Sequence, residues 1–144
     1  MIRIICVGKL KESYWKDSVN EYIKRIGKYH KLEIIELIDS NVKEESSLII
    51  SKINDKDYNI LLDINGNSVS SLELADKLDK LFINYSNITF IIGGSDGVDE
   101  EVRKRVNYKL SFSDLTFPHQ LFRVMLLEQI YRCFKINNNE TYHK

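Results

Sequence analysis

Apolar and polar positions alternate along this chain in blocks that predict strands and helices in turn. Short runs rich in β-branched residues predict strands over Ile2–Gly8, Leu32–Ile38, Tyr58–Ile64, Ile88–Ile92 and Tyr108–Ser113. Apolar residues at helical spacing predict helices over Trp15–Ile26, Val42–Ile53, Ser70–Asn84, Asp99–Asn107 and Pro118–Asn137. Because strands and helices alternate, the pattern predicts an α/β fold with a mainly parallel sheet and helices on both of its faces.

Several element boundaries carry signals of their own. Gly27 closes the first helix, and Asn65-Gly66-Asn67 predicts a turn after the third strand. Ser70 and Glu73 have the spacing of a capping box, and they precede the clearest apolar stripe of the chain. Pro118 suits the first position of the last helix.

The last predicted helix is apolar on nearly all sides. Its apolar residues are Leu121, Phe122, Val124, Met125, Leu126, Leu127, Ile130, Tyr131 and Phe134. A helix that is apolar all round is buried all round. At the end of a small domain, this favours a partner subunit that covers the second face, in a symmetric dimer. A central helix within a single chain is the alternative.

The stretch from Ile88 to Asp99 organises the chain. A strand without charges enters Gly93-Gly94-Ser95-Asp96-Gly97, and Asp99 is placed to cap the following helix. A glycine loop at the carboxyl end of a parallel strand is typical of a nucleotide-type ligand site, although a tight turn is the simpler interpretation. The spacing matches neither a P-loop nor the dinucleotide fingerprint. Asp114 lies at about the distance of a ribose-binding acid, but too little chain follows it for a second mononucleotide-binding half.

Composition narrows the class of protein. The chain has 144 residues, 43% hydrophobic and 29% charged, which fits one soluble globular domain. A net charge of zero argues against wrapping nucleic acid by bulk electrostatics. Basic residues nevertheless cluster over 9–31 and 103–109, so parts of the surface could meet a phosphate backbone locally. Solvated helix faces explain each cluster equally well.

The few reactive side chains suggest no metal and no classical triad. Cys6 and Cys133 lie far apart and are expected to be buried free thiols in a reducing compartment. His119 and Arg123 share a helix face at i, i+4 spacing, while His143 is next to last. The apolar run at the N-terminus is too short for a signal peptide, and no run could span a membrane, so a cytoplasmic location is expected.

Several spaced motifs together carry a resemblance that the glycine loop alone does not. They fall in order along the chain: Val7–Lys11, Leu62–Gly66, Phe90–Gly97, Leu110–Val124, Glu128–Arg132 and Tyr142–Lys144. This series resembles the ribosomal RNA large subunit methyltransferase H family of the SPOUT class, from the first strand to the last residue. Between about Ile38 and Leu48 the chain is shorter than relatives that carry extra residues, which puts one peripheral helix in question.

The resemblance implies a defined fold and activity. We expect a single domain over residues 1–144 with a deep trefoil knot in its C-terminal part, acting as a homodimer whose site lies at the subunit interface. Members of the family transfer a methyl group from S-adenosylmethionine to N3 of a pseudouridine in 23S ribosomal RNA of assembled ribosomes. By motif, the cofactor pocket would comprise Leu62, Gly93, Phe112, Ser113, Asp114, Leu115, Thr116 and Phe117.

Substrate positioning and proton handling then fall to the remaining polar groups of these motifs. The candidates are His119, Arg123, Tyr142 and His143, with Arg123 suited to a phosphate and Tyr142 to stacking on a base. The tail is expected to reach the partner's cofactor site. Two other classes stay open from the sequence: a non-catalytic dimeric module that binds a nucleotide as a sensor, and a SPOUT methyltransferase that acts on transfer RNA.

Overall fold

The computed structural model describes residues 1–144 as ten alternating strands and helices. The strands are β1 (Ile2–Val7), β2 (Leu32–Leu37), β3 (Tyr58–Ser68), β4 (Ile88–Ile92) and β5 (Tyr108–Ser111). The helices are α1 (Ser13–Ile26), α2 (Val42–Lys52), α3 (Ser71–Asn84), α4 (Glu100–Arg105) and α5 (His119–Asn137). Every predicted element is therefore present, including α2, which the shortened region had put in question.

All five strands form one parallel sheet in the order β2-β1-β4-β3-β5. β4 lies in the middle of the sheet, and each of its residues is buried. A parallel strand that is covered on both faces is expected to be apolar without alternation, which is the pattern that β4 has. The predicted α/β fold with a parallel sheet is confirmed, and the trefoil knot stays a prediction.

Alternate residues of the strands supply two separate cores, one on each face of the sheet. Ile4 and Cys6 point into the larger core, which α1, α3 and α5 cover. Ile5 and Val7 point into the smaller core under α2 and α4. Burying each such aliphatic side chain contributes roughly 1.5–3 kcal/mol. Because successive strand residues are apolar, both faces of the sheet are apolar, and helices cover each of them.

β3 runs further than predicted, through the expected turn. Leu62 and Asn67 both pair with Leu110 of β5, so residues 63–66 leave the ladder as an excursion and pairing then resumes. Gly66 is required there, since a Cβ on it would stand 2.7 Å from the carbonyl carbon and oxygen of Lys109. The turn signal correctly located a local irregularity, but it did not end the strand.

The helix caps follow the predicted chemistry, with small shifts at two ends. The Ser70 hydroxyl accepts from the Glu73 N–H at 3.1 Å while the Glu73 carboxylate accepts from the Ser70 N–H, which confirms the capping box. Asp99 caps α4 by accepting from the next turn's amides. Pro118 is the N-cap of α5 rather than its first helical residue, and α4 ends at Arg105.

α5 packs between α1 and α3 within the same chain, and none of its residues is classed as exposed. This position agrees with the alternative in which α5 is a central helix within a single chain. Leu121, Val124 and Met125 nevertheless remain partly exposed on α5. These side chains form an apolar surface on which a partner subunit could pack. The homodimer stays a prediction.

A buried polar network closes the amino-terminal edge of the sheet. Asp57 is 3% exposed and accepts from the Arg3 guanidinium at 3.1 Å, the Thr89 hydroxyl at 3.2 Å and the Asn87 amide at 3.2 Å. These partners stabilise the buried carboxylate, and removing any one of them would destabilise the folded state.

None of the helices has both the length and the apolar character needed to cross a membrane.

Candidate active site

A cavity of about 360 Å³ opens at the carboxyl ends of β3, β4 and β5. Three chain segments and the start of α5 form its walls. They are the β3 excursion, the glycine loop after β4, and the segment that joins β5 to α5. Open parallel sheets bind their ligands at this edge, and the volume lies in the range of small-molecule sites, roughly 300–1,000 Å³.

Most residues of the predicted cofactor pocket line this cavity. The lining members of that set are Leu62, Gly93, Phe112, Ser113, Leu115, Thr116 and Phe117. Asp114 does not line it and is exposed to solvent. The geometry thus brings together segments that are separated by fifty residues in the sequence, and their roles in binding stay a prediction.

The glycine loop is tightly folded against itself. The Gly97 N–H donates to the Gly94 carbonyl at 3.0 Å, and Gly97 has a φ of +80°, which favours glycine. A Cβ on Gly93 would stand 2.8 Å from Cγ1 of Val98. Both glycines are therefore required by the close turn, and at these two positions only backbone atoms can face the cavity.

An ion pair at the cavity wall was missed by the sequence analysis. The Arg103 guanidinium donates to the Val98 carbonyl at 2.9 Å and lies 3.4 Å from the Asp63 carboxylate. Both side chains line the cavity. From the sequence, Arg103 belongs only to a basic surface cluster, since nothing in its own helix pattern indicates that it folds back toward the carboxyl end of β3. The pair links the β3 excursion to the chain that follows the glycine loop.

Aromatic rings make up the apolar side of the cavity. The ring of Phe122 on α5 lies 5.0 Å from the Phe112 ring and 6.1 Å from the Phe117 ring, measured between centroids. Between the two loop rings, the Ser113 hydroxyl accepts from the Leu115 N–H at 3.0 Å and so fixes a turn. The segment thus presents flat apolar surfaces together with free backbone groups, which suits a purine-like ring.

His119 and Arg123 share a helix but have different surroundings. His119 is partly buried and lines the cavity. Arg123 is 3% exposed; its Nη1 donates to the Glu36 carboxylate at 2.6 Å and its Nη2 to the Gly8 carbonyl at 3.0 Å. The guanidinium is therefore committed to the ends of β1 and β2 and does not line the cavity, contrary to its expected availability to a phosphate.

The tail folds against the α5 of its own chain. The Tyr142 hydroxyl donates to Glu128 at 3.3 Å, its ring stands edge-on to Tyr131 at 5.0 Å, and the His143 ring lies 3.1 Å from the Arg132 guanidinium. Burial, together with the charge of Glu128, raises the pKa of the Tyr142 hydroxyl. Neither tail residue lines the cavity of its own chain.

A second cavity of about 480 Å³ adjoins the first behind the aromatic segment. Leu110, Phe112 and Phe117 line both. Glu128, which accepts from the tail, lines the second cavity on its α5 side. The tail is thus anchored close to the reverse side of the segment that forms the apolar wall.

Two solved structures have a fold similar to that of this chain. A transfer RNA methyltransferase from Aquifex aeolicus matches with a TM-score of 0.56 and 17% identity, over 91% of this chain and 69% of that one. A probable methylase family protein from Haemophilus influenzae matches with a TM-score of 0.55 and 14% identity, over 99% of this chain and 70% of that one. At these identities the likeness concerns the fold alone.

Sequence comparison is more specific. The family model described as "Predicted SPOUT methyltransferase" matches residues 1–143, and the chain belongs to the SPOUT methyltransferase family. Proteins named ribosomal RNA large subunit methyltransferase H are 50% identical in Clostridium perfringens and Clostridium acetobutylicum and 52% in Clostridium botulinum, each over 99% of both chains. The resemblance inferred from the motifs is confirmed. The chain is an enzyme that transfers methyl groups, which sets aside the non-catalytic sensor.

Proposed function

We propose that this enzyme methylates N3 of a pseudouridine in 23S ribosomal RNA, with S-adenosylmethionine as the methyl donor and assembled ribosomes as the substrate. Relatives that are half identical over nearly their whole length carry the name of a ribosomal RNA large subunit methyltransferase, and this similarity is the observation that carries the target. The transfer RNA enzyme of similar fold is only 17% identical, so it supports no preference for transfer RNA.

The cavity fits the proposed donor in size and in chemistry. When bound, S-adenosylmethionine supplies a methyl group that its sulfonium already activates, so no metal is required. The aromatic wall around Phe112 and Phe117 suits the adenine ring, and the backbone of the glycine loop and of the 112–117 turn offers donors and acceptors. Leu62 and Gly93 would complete the pocket.

The remaining work of the enzyme is alignment of the target base and removal of its N3 proton. Holding nucleophile and methyl in line lowers the entropic part of the barrier, and a positioned side chain accepts the proton. His119 is the predicted candidate that lines the cavity of its own chain. Its imidazole is therefore the proton acceptor that we favour.

The tail would act in the site of a partner. Tyr142 and His143 do not line their own cavity, and α5, to which they are anchored, keeps partly exposed apolar side chains for a subunit contact. In a homodimer each site would then combine the cavity and His119 of one chain with Tyr142 and His143 of the other. Arg123 would support this arrangement from within the fold, since its guanidinium is held by Glu36.

Recognition of a ribosomal surface by shape agrees with a net charge of zero. A protein that binds free RNA depends on many phosphate contacts and is normally more basic. The basic residues over 9–31 and 103–109 would make a limited number of phosphate contacts. Binding to ribosomes should thus depend less steeply on salt than binding to naked RNA.

The first experiment is a titration of the protein with S-adenosylmethionine, with methyl transfer assayed on ribosomes, naked 23S ribosomal RNA and transfer RNA in the same preparation. We expect donor binding and transfer to ribosomes, with the product mapped to N3 of a pseudouridine. Transfer to transfer RNA instead would replace the proposed target, and absence of donor binding would contradict the proposal altogether. Lys80→Ala is the matched surface control, since Lys80 is exposed and pairs only with its helix neighbour Asp76.

Complementation tests whether the site is shared between subunits. His119→Ala and a deletion of 142–144 should each abolish transfer as homodimers while leaving donor binding measurable. When the two variants are mixed and their subunits exchange, the mixture should recover about a quarter of the wild-type rate. Half of the dimers then contain one subunit of each variant, and each of these dimers holds one intact site out of two. No recovery, with exchange verified, would place His119 and the tail of one chain in the same site.

A further inference from the structure

Helix α2 packs behind the glycine loop, on the side away from the donor cavity. Two of its neighbouring residues, Glu45 and Ser46, are buried with exposed fractions of 4% and 0%. Neither lines the cavity. Both contact the loop that does, and they do so at its two ends.

Glu45 touches the beginning of the loop. A Cβ built on Gly94 would overlap the Oε1 atom of Glu45, so the carboxylate occupies the space on that side of the backbone. The other oxygen, Oε2, accepts from the Ser40 N–H at 2.8 Å, which holds the side chain in place. Gly94 therefore has the cavity on one side and a fixed carboxylate on the other.

Ser46 holds the end of the loop. Its hydroxyl accepts from the Asp99 N–H at 3.0 Å. Asp99 in turn caps α4, so this bond fixes the point where the loop becomes a helix. One turn of α2 thus determines where the glycine loop leaves β4 and where it enters α4.

Packing alone does not call for a carboxylate at position 45. A buried carboxylate has a considerable desolvation cost, and an apolar side chain of similar volume would fill the same space at lower cost. A carboxylate with a backbone donor, by contrast, adopts one defined position. The choice of residue therefore indicates a requirement for placement of the loop.

We propose that Glu45 and Ser46 are positioning residues that hold the glycine loop in the conformation that binds the methyl donor. A loop with three glycines within residues 93–97 has many accessible conformations. The apparent dissociation constant equals the intrinsic one divided by the fraction of molecules in the competent conformation. Loss of the support from α2 would lower that fraction and weaken donor binding, without changing the chemistry once the donor is bound. This inference rests on the proposed donor.

The test is a set of variants on α2, with Ser47→Ala as the matched control, because Ser47 follows Ser46 on the same helix and is exposed. Glu45→Ala should raise the Kd and the KM for S-adenosylmethionine about tenfold, as expected if the competent fraction falls to about a tenth. The kcat at saturating donor should stay within about twofold of wild type. Glu45→Gln keeps the shape and an oxygen for the Ser40 N–H, so it should restore most of the affinity.

A double-mutant cycle with Gly94 isolates the contact itself. Gly94→Ala should weaken donor binding in the wild-type background, where the new methyl group displaces the carboxylate. In the Glu45→Ala background the methyl group has room, so the same change should have much less effect. Gly94 has no positive φ, so backbone strain does not confound the comparison.

Outcomes that overturn the inference are distinct from those that overturn the donor. An unchanged donor Kd in Glu45→Ala, a kcat that falls together with the affinity, or additive effects in the cycle would each reject a positioning role. If Glu45→Ala does not fold, Ser46→Ala carries the test, with an expected rise of about threefold in Kd and an unchanged kcat. Failure of the wild-type protein to bind S-adenosylmethionine would instead reject the proposed function.

Discussion

Replacing Arg123 by methionine separates two roles for this side chain. Arg123 could meet a phosphate of the substrate, as its place in the motif suggested, or it could hold the fold together. In the structure its guanidinium is buried and donates to the Glu36 carboxylate at 2.6 Å and to the Gly8 carbonyl at 3.0 Å. We therefore expect Arg123→Met to lower stability and to leave the number of phosphate contacts unchanged.

The size of the effect follows from the burial of the two partners. Removing one member of a fully buried pair costs about 3–5 kcal/mol, and a solvent-exposed pair contributes about 0–1 kcal/mol. The Arg123 side chain is 3% exposed while that of Glu36 is 36% exposed. Glu36 can thus be rehydrated when it loses its partner, which sets the cost of Arg123→Met at about 2–3 kcal/mol. For a domain of this size the Tm should fall by roughly 4–12 °C.

The assay combines thermal unfolding with the salt dependence of binding to ribosomes. Each phosphate contact contributes about 0.7–0.9 to the slope of log K against log salt. Arg123→Met should lower the Tm and leave this slope unchanged. Lys104→Met provides an exposed cation as the control, with no expected change in Tm. A slope that drops by nearly one with an unchanged Tm would refute the structural role.

Three further predictions concern the rest of the fold. Gly66→Ala places a Cβ 2.7 Å from the backbone of β5, so it should lower the free energy of unfolding by about 1–3 kcal/mol and weaken donor binding. The control is Gly27→Ala, where the backbone is helical and the free energy of unfolding should change by less than about 1 kcal/mol. Burial raises the pKa of the Cys6 and Cys133 thiols from 9.0 to about 11 and about 12. Because only the unfolded thiols ionise between about pH 9 and pH 11, the unfolding free energy should fall as the pH rises through this window, by up to about 1.4 kcal/mol per pH unit for each thiol. A Cys6→Ala, Cys133→Ala double variant should lose this slope in denaturant titrations. Asp57→Ala should cost about 3 kcal/mol by denaturant titration with an unchanged donor Kd, and a changed Kd would contradict the separation of this edge from the site.

The fold could be predicted from the sequence because its signals are local. Apolar runs such as Ile88–Ile92 and the stripe after Ser70 indicate element type by spacing, and the caps at Ser70 and Asp99 use bonds within one turn. These interactions join residues at most a few positions apart. Such patterns can therefore be recognised from the sequence alone, and the alternation of strands and helices then indicates a parallel sheet.

The features that the sequence did not indicate are contacts between residues that lie far apart in the chain. Arg103 folds back to Asp63, forty positions earlier, and Arg123 pairs with Glu36, eighty-seven positions earlier. Neither arginine differs from a surface residue by spacing alone. The Asn65-Gly66-Asn67 signal indicated a turn in β3, but the close approach of Gly66 to the backbone of β5, which makes glycine necessary there, depends on a strand distant in the sequence. Contacts of this kind arise only once the sheet order is known.

α5 connects the groups that the proposed mechanism requires. Its first residue, His119, lines the cavity at the carboxyl ends of β3, β4 and β5; Arg123, one turn on, is tied to the ends of β1 and β2; and Glu128 accepts from Tyr142 of the tail. The apolar residues that bury the helix therefore fix these groups relative to one another. A partner subunit that packs on the partly exposed side of α5 would contact the same rigid element, so dimer formation would align cavity and tail together. Weakening the dimer by a change on that side should then reduce transfer more than donor binding.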